Sequence, residues 1–214
     1  YKLLLVDHFN FITYSDMKNI FLILFLFAST GLFSQEYVWS VYNIKVDRVN
    51  AGQVVSAMDN FLSKPGNLVD GVTVSLFEIM FASDDVEATH VIAFTGDPDA
   101  MNAMYSAGQN DEWQVMMGTF DQLTESKGSA AGRSIHTFNM EGEGPIHHIL
   151  QLNVDDPGKY APAFKKMWTT IKPDNRLTLG QFISGRSDGV SHYILAANDD
   201  FKDLVTRREW NAKE

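Results

Sequence analysis

The sequence contains no cysteine. That absence removes disulfides, thiolate metal sites, cysteine nucleophiles and lipoprotein anchoring together. Basic clusters are equally scarce: no Lys/Arg run exceeds Arg207-Arg208 or Lys165-Lys166, and 17 basic against 27 acidic residues give a formal charge of −10. Phosphate binding needs a cationic face, so no nucleic-acid partner is expected. A membrane span takes roughly 20 apolar residues, and the run from Ile20 to Ala28 falls well short of that. No spaced set of His, Asp and Glu has metal-site geometry, and His147-His148 are neighbours whose side chains would leave a strand on opposite faces. No metal is expected, and no motif names a cofactor. What is present is ordinary for a globular chain: 214 residues, 45% hydrophobic, 12% aromatic and 21% charged.

The amino-terminal region reads as an address. Met17-Lys18 precede the apolar run Ile20–Ala28, and Ser29, Thr30, Gly31 and Ser34 follow it, the pattern of a secretory signal peptide over 17–34. Cleavage near Ser34 predicts a mature start near Gln35 and a periplasmic or secreted protein with no stable membrane insertion. Residues 1–16, with Asp7 and Asp16, then read as upstream reading frame.

The remainder reads as one unit written twice. Val38 to Val46 is rich in β-formers, and Val54, Val55, Met58, Phe61 and Leu62 recur at helical spacing. Val72 to Phe81 and His90 to Thr95 are strands flanking the acidic hairpin Ser83-Asp84-Asp85, and Asp97-Pro98 opens a helix. In the second copy Ile146 to Val154 is a strand, Asp156-Pro157 caps a helix carrying Tyr160, Ala163, Phe164, Met167, Trp168 and Ile171 on one face, and Leu177–Ser184 and His192–Ala197 flank Ser187-Asp188-Gly189. A helix from Phe201 follows. Trp113 to Met117 reads as the fourth strand of the first copy. Its counterpart falls just past residue 214, unless Glu209-Trp210 is a shortened version of it.

Matching residues fall in the same order in the two copies: Val46-Asp47 on Val154-Asp155, Ser83-Asp84 on Ser187-Asp188, Thr89-His90 on Ser191-His192, Asp97 on Asp199. This predicts an α+β fold of two ferredoxin-like βαββαβ repeats, 37–118 and 145–214, joined by a connector at 119–144. Each repeat covers one face of its sheet with helices, so two bare faces pack together as one pseudo-twofold α/β barrel enclosing a cavity. Over about residues 37–214 the chain resembles the dimeric α/β barrel superfamily. The resemblance implies kinship with antibiotic-biosynthesis-type monooxygenases, stress-responsive barrel proteins and haem-binding chlorite-dismutase-like proteins. It rests on element order and repetition.

Strand parity then nominates a site. Tyr42, Ile44 and Val46 belong under the helices, which leaves Trp39, Asn43 and Lys45 for the cavity. The same parity puts His147, Gln151 and Asn153 there from the second copy. His90 and His192, each at the start of a third strand, are candidates as bases or ligands, although the same placement suits capping the preceding turn. Two literal motifs carry little. Gly185–Gly189 matches G-x-S-x-G but is followed by a strand where a nucleophile elbow needs a helix. Gly128–Arg133 has the composition of an anion cradle and, more simply, of a flexible link. The expected function is small-molecule binding in the cavity by a monomer or homodimer. The alternative is a cofactor-independent or haem-using monooxygenase-like enzyme.

Overall fold

The computed structural model describes residues 37–107, 110–142, 144–186 and 189–211. The expected signal peptide, the segment before it, and Ser187-Asp188 of the second hairpin lie outside the described residues. The first strand, β1 (Val38–Val46), leads through a short 3-10 turn into α1 (Ala51–Leu62). Then come β2 (Val72–Glu78), β3 (His90–Gly96), α2 (Pro98–Ser106), α3 (Asp111–Leu123) and the 15-residue β4 (Thr124–Phe138). The chain continues with β5 (Ile146–Leu152), α4 (Pro157–Ile171), β6 (Leu177–Ser184), β7 (His192–Asn198) and α5 (Phe201–Asn211).

All seven strands form one sheet in the order β2-β3-β1-β4-β6-β7-β5. Every neighbouring pair is antiparallel. The sheet curls: Phe77 on β2 and His147 on β5, its two terminal strands, bring their ring centroids within 4.8 Å. The result is a half-barrel with a convex and a concave face.

Helices cover the convex face because most of the strand residues that point to it are apolar. Ile44, Val46 and Ile92 pack with Val54 and Met58 of α1 and Phe120 of α3. Val72 packs with Ala100 and Met101 of α2. On the other side Leu177 and Leu179 pack with Phe164 of α4. The helix starts follow from their caps: Asp97 accepts N–H bonds from Asp99 and Ala100, and Asp156 accepts one from Lys159, each before a proline that has no N–H to lose. Ser40 and Tyr42 of β1 also face outward, their hydroxyls 2.6 and 2.9 Å from that of Tyr105 on α2. Among the described residues no helix is long and apolar enough to cross a membrane.

Two sequence expectations are corrected. Trp113 to Met117 belongs to helix α3. Asn110 accepts the Trp113 N–H at 2.8 Å, Asp111 and Glu112 occupy the first turn, and Met116, Phe120 and Leu123 form an inward stripe at spacings of four and three. Val115, which made the segment look like a strand, is 72% exposed. The second correction concerns Gly128–Arg133, which is no flexible link. It lies inside β4, whose first part pairs with β1 from Val46↔Thr124 to Val38↔Arg133 and whose last part pairs with β6 from Ala131↔Ser184 to Phe138↔Leu177. Gly132 stands there because the Trp39 ring of the next strand lies on top of it.

Candidate functional site

On the concave face, Trp39 of β1, Gly132 of β4 and Phe182 of β6 stand in line across three strands. The Trp39 and Phe182 rings meet over the glycine at 5.4 Å, edge to face. Tyr193 of β7 completes the group, 5.3 Å from Trp39 and 5.4 Å from Phe182. Two of the three rings lie down on glycines. A Cβ on Gly132 would stand 2.4 Å from Trp39 Cζ2, and one on Gly180 would stand 2.1 Å from Tyr193 Cζ. Such contacts are far inside van der Waals range, so both positions must lack a side chain.

This aromatic floor carries two polar groups. Burial pushes the Tyr193 hydroxyl up to about 12, with Ser134 and the Trp39 indole beside it pulling weakly the other way. The Trp39 Nε1–H is buried beside the Tyr193 hydroxyl, its interaction there falling short of full hydrogen-bond geometry. An unmade bond at a buried donor costs about 1–3 kcal/mol, so the site favours anything that presents an acceptor there. Around the floor the concave wall mixes apolar residues with polar ones such as Thr73, Ser75, Asn43 and Gln151. Val41, Val91, Ala93, Leu195 and Ile149 face inward by strand parity, and Ile149 remains 54% exposed.

The structure separates the sequence candidates. Trp39 and Asn43 stand on the concave side of β1, and Asn43 lies opposite Val91. On β5, His147 and Gln151 take the same side, with Gln151 opposite Tyr193. Lys45 is exposed at the end of β1, opposite Glu125, and its charge helps hold the Glu87 carboxyl below its usual range, after the larger effect of Lys127. Asn153 is not on the wall. Strand β5 ends at Leu152, and the Val154 N–H bonds to Ser191 Oγ at 3.0 Å, which turns the chain away. Asn153 instead lines an outer cleft of about 430 Å³ beside Asp156, Lys159 and Tyr160. A larger hollow of about 810 Å³ lies between α1 and α3, again on the helical side.

His90 and His192 do not approach the concave site. They stand opposite Ile44 and Leu152, on the helix-covered face. Each bonds through Nδ1 to the hydroxyl before it, Thr89 at 2.9 Å and Ser191 at 2.8 Å. That hydroxyl accepts the N–H at the end of a first strand, Val46 at 2.9 Å in one half and Val154 at 3.0 Å in the other. Both histidines therefore brace a strand junction. Haem, which one branch of the resemblance implies, does not fit these residues. Among the described histidines only His147 faces the concave side, and its ring is packed on Phe77 beside a floor already filled by three other rings.

Parity found Trp39 from the sequence and missed Phe182, Tyr193, Gly132 and Gly180. The signal for the last two was glycine inside a strand, which marks close approach of another group.

Three solved structures are similar to this chain in fold. A candidate monooxygenase from Fusobacterium nucleatum subsp. nucleatum superposes with a TM-score of 0.57 at 15% identity, over 83% of this chain and 82% of that one. A candidate monooxygenase from Lactobacillus acidophilus gives 0.52 at 11% identity, over 77% and 78%. An anthrone oxidase-like protein gives 0.53 at 10%, over 82% and 78%. These likenesses show the fold. It is of the ferredoxin-like α+β kind. No family model matches the chain, and no curated protein matches it significantly.

Proposed function

We propose that the protein binds a small, largely apolar molecule on the concave face of its sheet, with an acceptor atom of that molecule taking the Trp39 Nε1–H. The observation that carries this reading is the aromatic floor of Trp39, Phe182 and Tyr193, held flat by Gly132 and Gly180, with the buried Trp39 indole N–H left beside the Tyr193 hydroxyl without a well-formed bond. The apolar residues of the wall supply the driving force for a ligand of this kind, at about 25 cal/mol per Å² removed from water. The test is native mass spectrometry and absorption spectroscopy of the purified chain, followed by quenching of tryptophan fluorescence by planar phenols and quinones. Trp39→Phe removes the donor together with the part of the indole that lies on Gly132, and affinity read by native mass spectrometry, which does not depend on the lost fluorophore, should fall about tenfold or more, at least the size of one hydrogen bond. Equal affinity in both proteins would refute the role of Trp39.

Oxygenation of the bound molecule is the second reading. It draws on the fold shared with the candidate monooxygenases and the anthrone oxidase-like protein. Anthrone under air is the direct assay: its methylene becomes a carbonyl with one atom of dioxygen, and the two hydrogens leave with the other atom as water. Quenching without anthraquinone would leave binding alone.

The two halves are, on this reading, copies of one unit closed into a pseudo-barrel. The repeated brace at Thr89-His90 and Ser191-His192 supports it. Export is proposed on Met17-Lys18 and Ile20–Ala28 alone, and amino-terminal sequencing of secreted material tests it. A start at or before Met17 would overturn it.

A further inference from the structure

Strand β6 carries Phe182, Gly180 and Thr178 at three successive concave positions. The Tyr193 hydroxyl lies on the middle one, 2.2 Å from where a Gly180 Cβ would stand. Residues two apart on one face of a strand are about 7 Å apart. Thr178 is therefore the next side chain along the floor from the Tyr193 hydroxyl and the Trp39 indole. Its direct partner on β4 is Thr137, and the two hydroxyl oxygens are 3.1 Å apart. Their neighbours Leu177, Leu179 and Phe138 turn the other way, into the core around Phe164, which fixes both threonines on the concave side.

The hydrogen-bonding capacity of this pair is not used up. Two hydroxyls carry two O–H donors, and the bond between them takes one. Among the described groups neither oxygen has a further partner, so one O–H and three lone pairs remain, and Thr178 is buried. Under-used lone pairs are ordinary in folded proteins, whereas a buried O–H that finds no acceptor is costly. The other end of the floor has the same shortage. There the Trp39 Nε1–H lacks a well-formed bond, and burial keeps the phenolic proton on Tyr193. Both ends thus lack an acceptor. Leu195, opposite Thr178, and Ile149, opposite Leu195, flank the space between them with apolar surface.

We propose that Thr137 and Thr178 are specificity-determining residues, and that the molecule bound on the concave face is a flat aromatic with carbonyl oxygens at two opposite ends. One oxygen takes the Trp39 and Tyr193 donors, and the other takes the spare O–H of the threonine pair. The proposal rests on the small-molecule reading above and adds a second anchor that selects among such molecules. A compound with one oxygen fills one end and leaves the threonine donor buried and unpaired. A diol brings further O–H groups to a floor already short of acceptors, and a dicarbonyl compound does not.

The test is equilibrium dialysis of the full chain with 1,4-diacetylbenzene, which has two carbonyls, and 4-ethylacetophenone, which has nearly the same shape and one. The parent chain should hold the diketone more tightly. Thr137→Val combined with Thr178→Val removes both hydroxyls and keeps their shape, so the affinity ratio should fall about tenfold, the size of one hydrogen bond, with ethylacetophenone affinity unchanged. Thr178→Ser keeps a hydroxyl and should keep the preference, which separates loss of the donor from general damage. On the parent chain alone, the infrared carbonyl absorption of bound diacetylbenzene should lie wholly below that of the free compound. Three results overturn the proposal: no preference for the diketone in the parent chain, a preference undiminished in the folded double variant, or a carbonyl band left at its free position. If ethylacetophenone still binds in a Trp39-dependent way, such a result removes the second anchor and leaves the binding reading standing. If neither compound binds, both fall.

Discussion

Tyr193 lies on Gly180, its direct cross-strand partner, so closely that a single methyl group at 180 would stand 2.1 Å from the ring. The ring is in turn wedged against Trp39 and Phe182, so it has no nearby place to go. Gly180→Ala should therefore destabilise the protein by about 1–3 kcal/mol, the usual range for overpacking. Gly118→Ala, in α3 with open space around it, should leave stability unchanged or raise it by up to about 1 kcal/mol. Urea midpoints of the two variants make the comparison, and equal effects would contradict the packing.

The strand-junction brace offers a second measurement. Thr89→Val and Ser191→Ala each delete the hydroxyl that accepts a strand-end N–H and bonds the next histidine. Each should cost about 1–2 kcal/mol, and because the two sit in different halves the double variant should show the sum. Strong non-additivity would mean that the junctions are coupled.

Acid should weaken the fold through buried imidazoles. Burial lowers the His192 pKa, and burial followed by the Lys165 charge lowers that of His136. The neutral form is favoured in the folded state, while the unfolded chain takes up protons near about pH 6.5. Stability is thus complete above that value and falls as pH drops below it towards the folded-state pKa. Urea unfolding between about pH 7.5 and about pH 5.5 should show the decline, and His192→Gln should make it shallower. A midpoint independent of pH would rule out this linkage.

Asn43 and Gln151 occupy corresponding concave positions on β1 and β5, opposite Val91 and Tyr193. If they orient the ligand, Asn43→Leu and Gln151→Leu should abolish fluorescence quenching while stability stays within about 1–2 kcal/mol of the parent. Unchanged quenching in folded variants would show that these amides do not touch the ligand.

Local chemistry made most elements legible. The Asp97-Pro98 and Asp156-Pro157 caps announced two helices, and Leu177–Ser184 is a strand over the span its residues indicate. Two places failed for the same physical reason, that a distant partner outweighs local preference. Val115-Met116-Met117 is strand-like by composition, yet Asn110 caps a helix and Phe61 receives Trp113 at 5.7 Å. Gly128–Arg133 looks like a linker until Trp39 is laid over Gly132. The concave residues of β1 and β5 followed from parity alone. The histidines misled because position at a strand start does not say which face the first side chain takes.

Strand β4 has one more consequence, for how the chain acquires its structure. It pairs with β1 through its first part and with β6 through its last, so either half, folded alone, would leave one side of that strand unpaired. The pairings from Thr124 to Val46 and from Phe138 to Leu177 each close a long loop, which slows folding and binds the outcome of one half to the other. Cleaving the chain within β4 should therefore release two fragments that stay unstructured apart and regain the sheet only on mixing.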